Sequence, residues 1–354
     1  HNIMMHHPYE TFAAVDDFIY LAAKDPDVLA IKQTLYRVGT QSAIIDALAA
    51  AAENGKEVTV LMEVKARFDE ENNIHKARKL EEAGCHVIYG VAGLKTHSKI
   101  SLVVRRESDG IRRYVHLATG NYNGKTARIY TDVGILTADQ AMGEDASAFF
   151  NLLSGYFESP AWKKLAVAPY DLREQLYLSI DREISVAKAG KKAVIIAKMN
   201  SLLDRHVIDR LYEASQAGVT VRLIVRGICV LRPGVTGLSE NISVHSIVGR
   251  FLEHSRLFYF YNDGAEDVFI SSADWMPRNL NERIELLVPV EYGPHKERIK
   301  EILRLNYEDN VNGHIMDQNG EYTYLADNRT GPAVNAQETF QQLAEQAASG
   351  PENG

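Results

Sequence analysis

Two short stretches of the chain carry the same groups in the same order, and those groups suit the handling of phosphate. The first is His97-Ser98-Lys99, followed 24 residues after the histidine by Asn121 of Thr119-Gly120-Asn121, with Asp132 a further 11 on. The second is His254-Ser255-Arg256, then Asp274 of Ser271-Ser272-Ala273-Asp274 after 20 residues, and Glu285 again 11 on. Each set offers an imidazole, a cation two residues away, a turn of small residues ending in an amide or carboxylate, and a late acid. An imidazole can attack or donate a proton near neutral pH, and a cation beside it attracts phosphate oxygens. Two sets in one order predict a single site built by duplication, with both histidines facing a common phosphate.

Residues two apart on an extended strand share a face, so Lys95, His97 and Lys99 are expected to point together. Cations there disfavour the imidazolium and leave His97 a lone pair for attack. His254 shares its face with Leu252 and Arg256, a less positive setting. Which acid pairs with which histidine stays open in the sequence. A return of Glu285 onto His254 would hold that ring protonated and suited to donating.

The elements that must position these groups repeat as well. Ile45-Asp46-Ala47-Leu48 reaches Gly55 and then the apolar run Val58-Thr59-Val60-Leu61-Met62, while Ile208-Asp209-Arg210-Leu211 reaches Gly218 and then residues 219–225. Both read as a helix stopped by a glycine that tolerates the left-handed cap, followed by a buried strand. Further strands are predicted over residues 30–35, 86–89, 100–104 and 114–117. Helices are predicted over 41–53, 73–82 and 294–307. Residues 139–157 and 171–189 have helical spacing and read as a bridge between the halves. Beyond residue 335 the tail holds at most one polar helix. Arg37, Arg67 and Arg226 each follow an apolar strand, at the edge where ligands gather in open α/β sheets. A guanidinium there offers planar, bidentate donors to phosphate.

Composition bounds the reading. The 354 residues, 45% of them hydrophobic, suffice for two packed cores. No apolar run approaches the ~20 residues that span a membrane. Cys85 and Cys229 read as reduced, structural thiols, which fits a cytoplasmic protein. A net charge of −8 argues against a general nucleic-acid coat, yet residues 95–113 carry six basic side chains against two acidic ones. His75, His86 and His116 lack the repeated partners and read as structural, and Trp162 and Trp275 as core or hinge residues. The chain opens at His1 and ends in Ser349-Gly350-Pro351-Glu352-Asn353-Gly354, and is expected to be part of a longer protein.

These residues resemble the carboxyl-terminal half of the long-type polyphosphate kinases, the ATP:polyphosphate phosphotransferases. The resemblance covers residues 7–290. It is carried by Ala30-Ile31-Lys32-Gln33-Thr34-Leu35-Tyr36-Arg37, Lys65-Ala66-Arg67-Phe68-Asp69-Glu70, Gly93-Leu94-Lys95-Thr96-His97-Ser98-Lys99, Thr119-Gly120-Asn121-Tyr122-Asn123, Lys125-Thr126-Ala127-Arg128-Ile129-Tyr130-Thr131-Asp132, Leu252-Glu253-His254-Ser255-Arg256 and Ser271-Ser272-Ala273-Asp274-Trp275-Met276-Pro277-Arg278-Asn279. It implies an α/β protein of two tandem phospholipase-D-like domains with mixed sheets flanked by helices, over residues 1–160 and 161–310, with a tail at 311–354. It implies that His97 is the phosphorylated histidine and His254 a second essential one. Tyr130, Arg226 and His254 fall where the family contacts ATP, and Lys95 and Lys99 stand beside the phosphorylated residue. Arg37 and Arg67 fall where its Mg2+ and phosphates are assigned, although a guanidinium has no lone pair to give a metal.

The expected partners are ATP and inorganic polyphosphate, with no specific nucleic acid. The resemblance admits peripheral contact with the inner face of a membrane and implies a homo-oligomer of the longer protein. Two other readings stay open. A phospholipase-D-type phosphodiesterase is opposed by Val104 and Tyr261, which stand where that pattern wants an aspartate. A non-catalytic polyphosphate-binding fragment is the other, because the family's amino-terminal and head domains lie outside this sequence.

Overall fold

The computed structural model describes residues 2–36, 38–39, 42–63, 70–155 and 161–349. Two units divide the chain, His1–Tyr170 with Asn281–Val288, and Asp171–Leu280 with Pro289–Gly354.

The first unit contains β1 (Ile3–His7), α1 (Ala13–Lys24), β2 (Val28–Leu35), α2 (Ala43–Glu53), β3 (Glu57–Met62), α3 (Glu70–Glu82), β4 (His86–Ile88), β5 (Lys95–Thr96), β6 (Ile100–Glu107), β7 (Gly110–Ala118), β8 (Tyr130–Thr137), α4 (Gln140–Leu153) and β9 (Ala166–Ala168). Its main sheet runs β1-β8-β7-β6-β2-β3-β4. Strands β2, β3 and β4 are parallel, and the remaining neighbours are antiparallel. The α2–β3 connection follows the expected logic: the Ser42 hydroxyl accepts from Ile45 N at the helix start, and Gly55 at φ +80° ends it. Ile19, Leu48 and Leu80 of the three helices pack with Ile31 and Val60 of the strands into one buried core. Removing such side chains from water is the main stabilising term, roughly 1.5–3 kcal/mol for each large one.

The second unit contains α5 (Leu172–Lys188), β10 (Val194–Met199), α6 (Arg205–Gln216), β11 (Thr220–Val225), β12 (Ile242–Ile247), β13 (Leu252–Glu253), β14 (Arg256–Phe260), β15 (Asp267–Ser271) and α7 (Pro277–Asn281). Strand β16 (Arg283–Pro289) belongs, but for its last residue, to the first unit, and the second unit continues with α8 (Gly293–Glu308), β17 (Gly313–Met316), β18 (Tyr322–Tyr324) and α9 (Ala336–Ser349). Its sheet is ordered β18-β17-β12-β11-β10-β14-β15. Again three strands, β10, β11 and β12, are parallel, and the antiparallel pair β14–β15 lies beside the first of them. Gly218 at φ +95° repeats the role of Gly55. Helices α5 and α8 both pack on β10 and β14.

Both units are therefore mixed α/β sheets flanked by helices, as the sequence predicts. The two segments read as a bridge are the separate helices α4 and α5, one in each unit, with β9 between them. Residues 313–324 extend the second sheet as a hairpin. Among the described residues no helix is long and apolar enough to cross a membrane.

Candidate active site

In the first unit, β5 pairs in parallel with β16, so that Lys95 lies opposite Arg283 and Thr96 opposite Ile284. The pairing continues past the strand, where His97 N and Ser98 N both donate to Ile284 O at 3.0 Å. The next residue on each side is then His97 and Glu285. The His97 Nδ1 lies 2.9 Å from both carboxylate oxygens of Glu285, which is wholly buried. An ionised carboxylate can only accept, so beside it a neutral ring would carry its proton on Nδ1 and its lone pair on Nε2. Glu285 thus turns to His97; the reason is backbone register, which the sequence spacing does not carry.

Lys95, His97 and Lys99 gather around one aromatic ring. The Tyr36 ring meets His97 edge-on at 5.0 Å between centroids, with Lys95 Nζ 5.2 Å and Lys99 Nζ 5.7 Å from its centre. The three side chains do lie near one ring, but not as one face of a strand, because β5 ends at Thr96. Lys99 is buried and its ammonium donates to His97 O. Thr34 Oγ1 donates to Ser98 O at 2.9 Å and accepts from Ile100 N at 3.2 Å, fixing the turn after the histidine. The buried Glu63 carboxylate accepts from Thr96 N at 3.0 Å.

The small-residue turn has a steric reason. A Cβ on Gly120 would meet Asp132 Oδ2 at 2.3 Å, so glycine lets the Asp132 side chain lie across the turn. Thr119 Oγ1 donates to Asp132 Oδ1 at 2.6 Å. Behind them His116 is fully buried with Nδ1 2.9 Å from the Tyr122 hydroxyl. Burial, helped by the charge of His7, pushes His116 down to about 3, so it is a neutral core residue. Tyr130 stands half-buried at the start of β8.

In the second unit the same motif has another partner set. Arg256 grips Asp274 with two bonds, Nε to Oδ1 at 3.2 Å and Nη2 to Oδ2 at 3.1 Å. Its Nη1 donates to His254 O at 2.9 Å and lies 3.2 Å from His254 Nε2. Burial pushes the Asp274 carboxyl up, but the Arg256 charge and bonds from Arg256 and Asn200 outweigh it and hold the group below its usual range. Arg226 follows β11, and its Nε donates to Asn200 Oδ1 at 2.5 Å. Beneath the motif, Lys198 Nζ pairs with Glu253 at 3.0 Å and donates to Ser255 Oγ at 2.7 Å. Gln337 of α9 donates to Glu253 Oε1 at 2.7 Å.

The structure thus gathers Lys95, His97 and Lys99 in the first unit, and His254 and Arg226 in the second. Arg37 and Arg67 lie outside the described residues. Among the described residues no three or more His, Cys, Asp or Glu side chains cluster as they would to hold a metal ion. Sequence reasoning passed over Tyr36, Glu63, Lys198, Asn200 and Gln337. Only Tyr36 carried a signal, as an aromatic residue ending an apolar strand. Trp275 is a core residue against Phe258, with ring centroids 4.9 Å apart. Both cysteines are unbonded, and burial pushes each thiol up to about 11.

Residues 1–159 match the family pattern described as polyphosphate kinase C-terminal domain 1, and residues 165–337 that described as polyphosphate kinase C-terminal domain 2. The polyphosphate kinase of Halalkalibacterium halodurans is 58% identical over 343 residues, 97% of this chain and 49% of that protein. That of Bacillus anthracis is 57% identical over 325 residues, 92% of this chain and 46% of that protein. The chain spans about half the length of the curated relatives it matches. The crystal structure of polyphosphate kinase from Porphyromonas gingivalis is similar with a TM-score of 0.90 at 39% identity, over 97% of this chain and 52% of that one. Phosphatidylserine synthase of Haemophilus influenzae shares the fold at 10% identity and a TM-score of 0.57. With both C-terminal domain patterns matched in tandem and relatives of that name above half identity, the chain belongs to the polyphosphate kinase family and corresponds to the C-terminal half of its members.

Proposed function

We propose that this chain carries the phosphoryl-transfer groups of a kinase that moves the terminal phosphate of ATP to inorganic polyphosphate, reversibly, through a phosphohistidine at His97. The observation that supports the reading is the buried His97–Glu285 contact at 2.9 Å, which holds the ring by Nδ1 and so suits Nε2 to the role of nucleophile. In the first half-reaction Nε2 attacks the γ-phosphorus of ATP, the bond from that phosphorus to the β,γ-bridging oxygen breaks, and ADP leaves. In the second, a terminal oxygen of polyphosphate attacks the phosphorus, the P–N bond breaks, and the chain grows by one unit. Running both steps backward forms ATP.

Phosphoryl transfer asks mainly for positioning and charge neutralisation. Lys95 and Lys99 supply positive charge beside His97, and Arg226 is read as a phosphate contact. His254 is read as the second histidine of the transfer, assisting as acid or as a donor to phosphate. Tyr130 is read as a nucleotide-side contact by likeness to the family. Magnesium would come with ATP as part of the substrate and would supply neutralisation of charge. The test is to incubate the chain with γ-labelled ATP, isolate it, and chase. The reading expects base-stable, acid-labile label that ADP returns as ATP and polyphosphate removes. Absence of covalent label, with polyphosphate nonetheless bound, would leave a binding fragment in its place.

A further inference from the structure

Asn200 is the residue immediately after β10, and the sheet register brings two functional segments to its sides. In the parallel pair β10–β11, Met199 lies opposite Val225, so the next residues are Asn200 and Arg226. In the antiparallel pair β10–β14, Lys198 lies opposite Leu257, which carries Asn200 alongside Ser255 and the histidine motif. Asn200 is buried, and both ends of its amide are engaged. Its Oδ1 accepts from Arg226 Nε at 2.5 Å, while its Nδ2 donates to His254 O at 3.1 Å and to Asp274 Oδ1 at 3.0 Å. Its backbone N also donates to Asp274 Oδ1, at 2.7 Å.

The orientation of the amide is fixed by chemistry on both sides. A carboxylate and a carbonyl can only accept, so they require the NH2 end; a guanidinium can only donate, so it requires the oxygen. An aspartate would keep the acceptor for Arg226 but set a second carboxylate against Asp274. A Cβ on Gly227, the residue after Arg226, would meet Asn200 O at 2.8 Å, so the backbone too is closely fitted here.

We propose that Asn200 is a positioning residue that holds the Arg226 guanidinium at a fixed place beside the His254–Arg256–Asp274 group, presenting it ready-ordered to phosphate. A long arginine side chain ordered before binding loses less freedom when the ligand arrives, so affinity should depend on the residue that orders it. The inference rests on reading Arg226 as a phosphate contact.

A double-mutant cycle on the intact protein tests it, with tripolyphosphate as the probe and calorimetry as the readout. Arg226→Ala and Asn200→Ala should each weaken binding about tenfold or more. Because Asn200 acts through Arg226, the double variant should bind no more weakly than Arg226→Ala alone. Arg226→Lys, which keeps the charge and leaves Asn200 in place but lacks the Nε that Asn200 holds, should also bind about tenfold more weakly, whatever the fate of Asn200→Ala in folding. Loss in Arg226→Ala without loss in Asn200→Ala, additive losses in the double variant, or an Arg226→Lys variant that binds like the wild type would each overturn the inference. Unchanged binding by Arg226→Ala would overturn the reading of Arg226 itself, and the inference with it.

Discussion

His97 and His254 occupy the same place in a repeated motif, yet their surroundings differ in kind. Both have a cation two residues on that curls back to the histidine carbonyl, Lys99 in one unit and Arg256 in the other. The lysine brings a single nitrogen to that carbonyl. The arginine has a fork, and it uses the remainder to grip Asp274. His97 is instead held by a carboxylate on its ring, while the nitrogens of the His254 ring lie near the Arg256 guanidinium. A ring held through Nδ1 by a carboxylate is oriented for attack, and a ring beside a fixed guanidinium sits in a field that suits an anion. The two units thus give similar frames but different partners to their imidazoles, and the proposed roles rest on that difference.

The largest effect should come from the group that distinguishes the first histidine. Glu285→Gln keeps the shape of the side chain but lets its NH2 donate to Nδ1, moving the ring proton to Nε2 and removing the nucleophile. Loss of the correct tautomer in a comparable acid–imidazole pair costs up to about 10^4 in rate, so a fall of about 10^2–10^4-fold in covalent labelling is expected. Rapid-quench measurement of phosphoenzyme formation checks it; a fall of under tenfold would mean that Glu285 is a structural acid only.

Asp274→Ala should act on stability, because it removes the carboxylate that the buried Arg256 grips. The expected loss is about 3–5 kcal/mol, read by denaturant unfolding of the intact protein. The pH dependence has a definite sign. The Asp274 carboxyl is held below its usual range in the fold, so its contribution is fully present above the unfolded value near pH 4 and is lost as pH falls through the lower folded value. A variant of unchanged stability would show that the Arg256 fork needs no carboxylate.

A smaller effect sharpens the contrast in the strands behind the motifs. Counted back from Asn121 and Asp274, His116 on β7 corresponds to Phe269 on β15. His116 titrates near 3 in the fold and near 6.5 when unfolded, so between those values the unfolded chain binds the extra proton and stability falls as pH falls. The cost from pH 7 to pH 5 is about 2 kcal/mol. His116→Phe, which makes the first unit like the second, should flatten that slope in urea titrations at the two pH values. An unaltered slope would assign the dependence to another group.

Much of this was legible because it depends on residue type and spacing. Gly55 and Gly218 announce helix ends by the backbone they permit, and the two motifs announce themselves by repetition. What stayed hidden depends on strand register. Glu285 reaches His97 across 188 residues because β5 pairs with β16, and no local pattern encodes that pairing. Asn200 is a single asparagine that matters only because β10 lies between β11 and β14. Gln337 reaches Glu253 from a helix that reads, in sequence, as a polar tail.

The difference between the two imidazoles is tested most directly by mapping the covalent phosphate. Wild type, His97→Gln and His254→Gln proteins are labelled with γ-labelled ATP, digested under basic conditions, and the labelled peptide identified. Label on the peptide containing His97, and none on the His97→Gln protein, is the predicted result. Label on the peptide containing His254, persisting when His97 is replaced, would contradict the account and invert the roles of the two histidines.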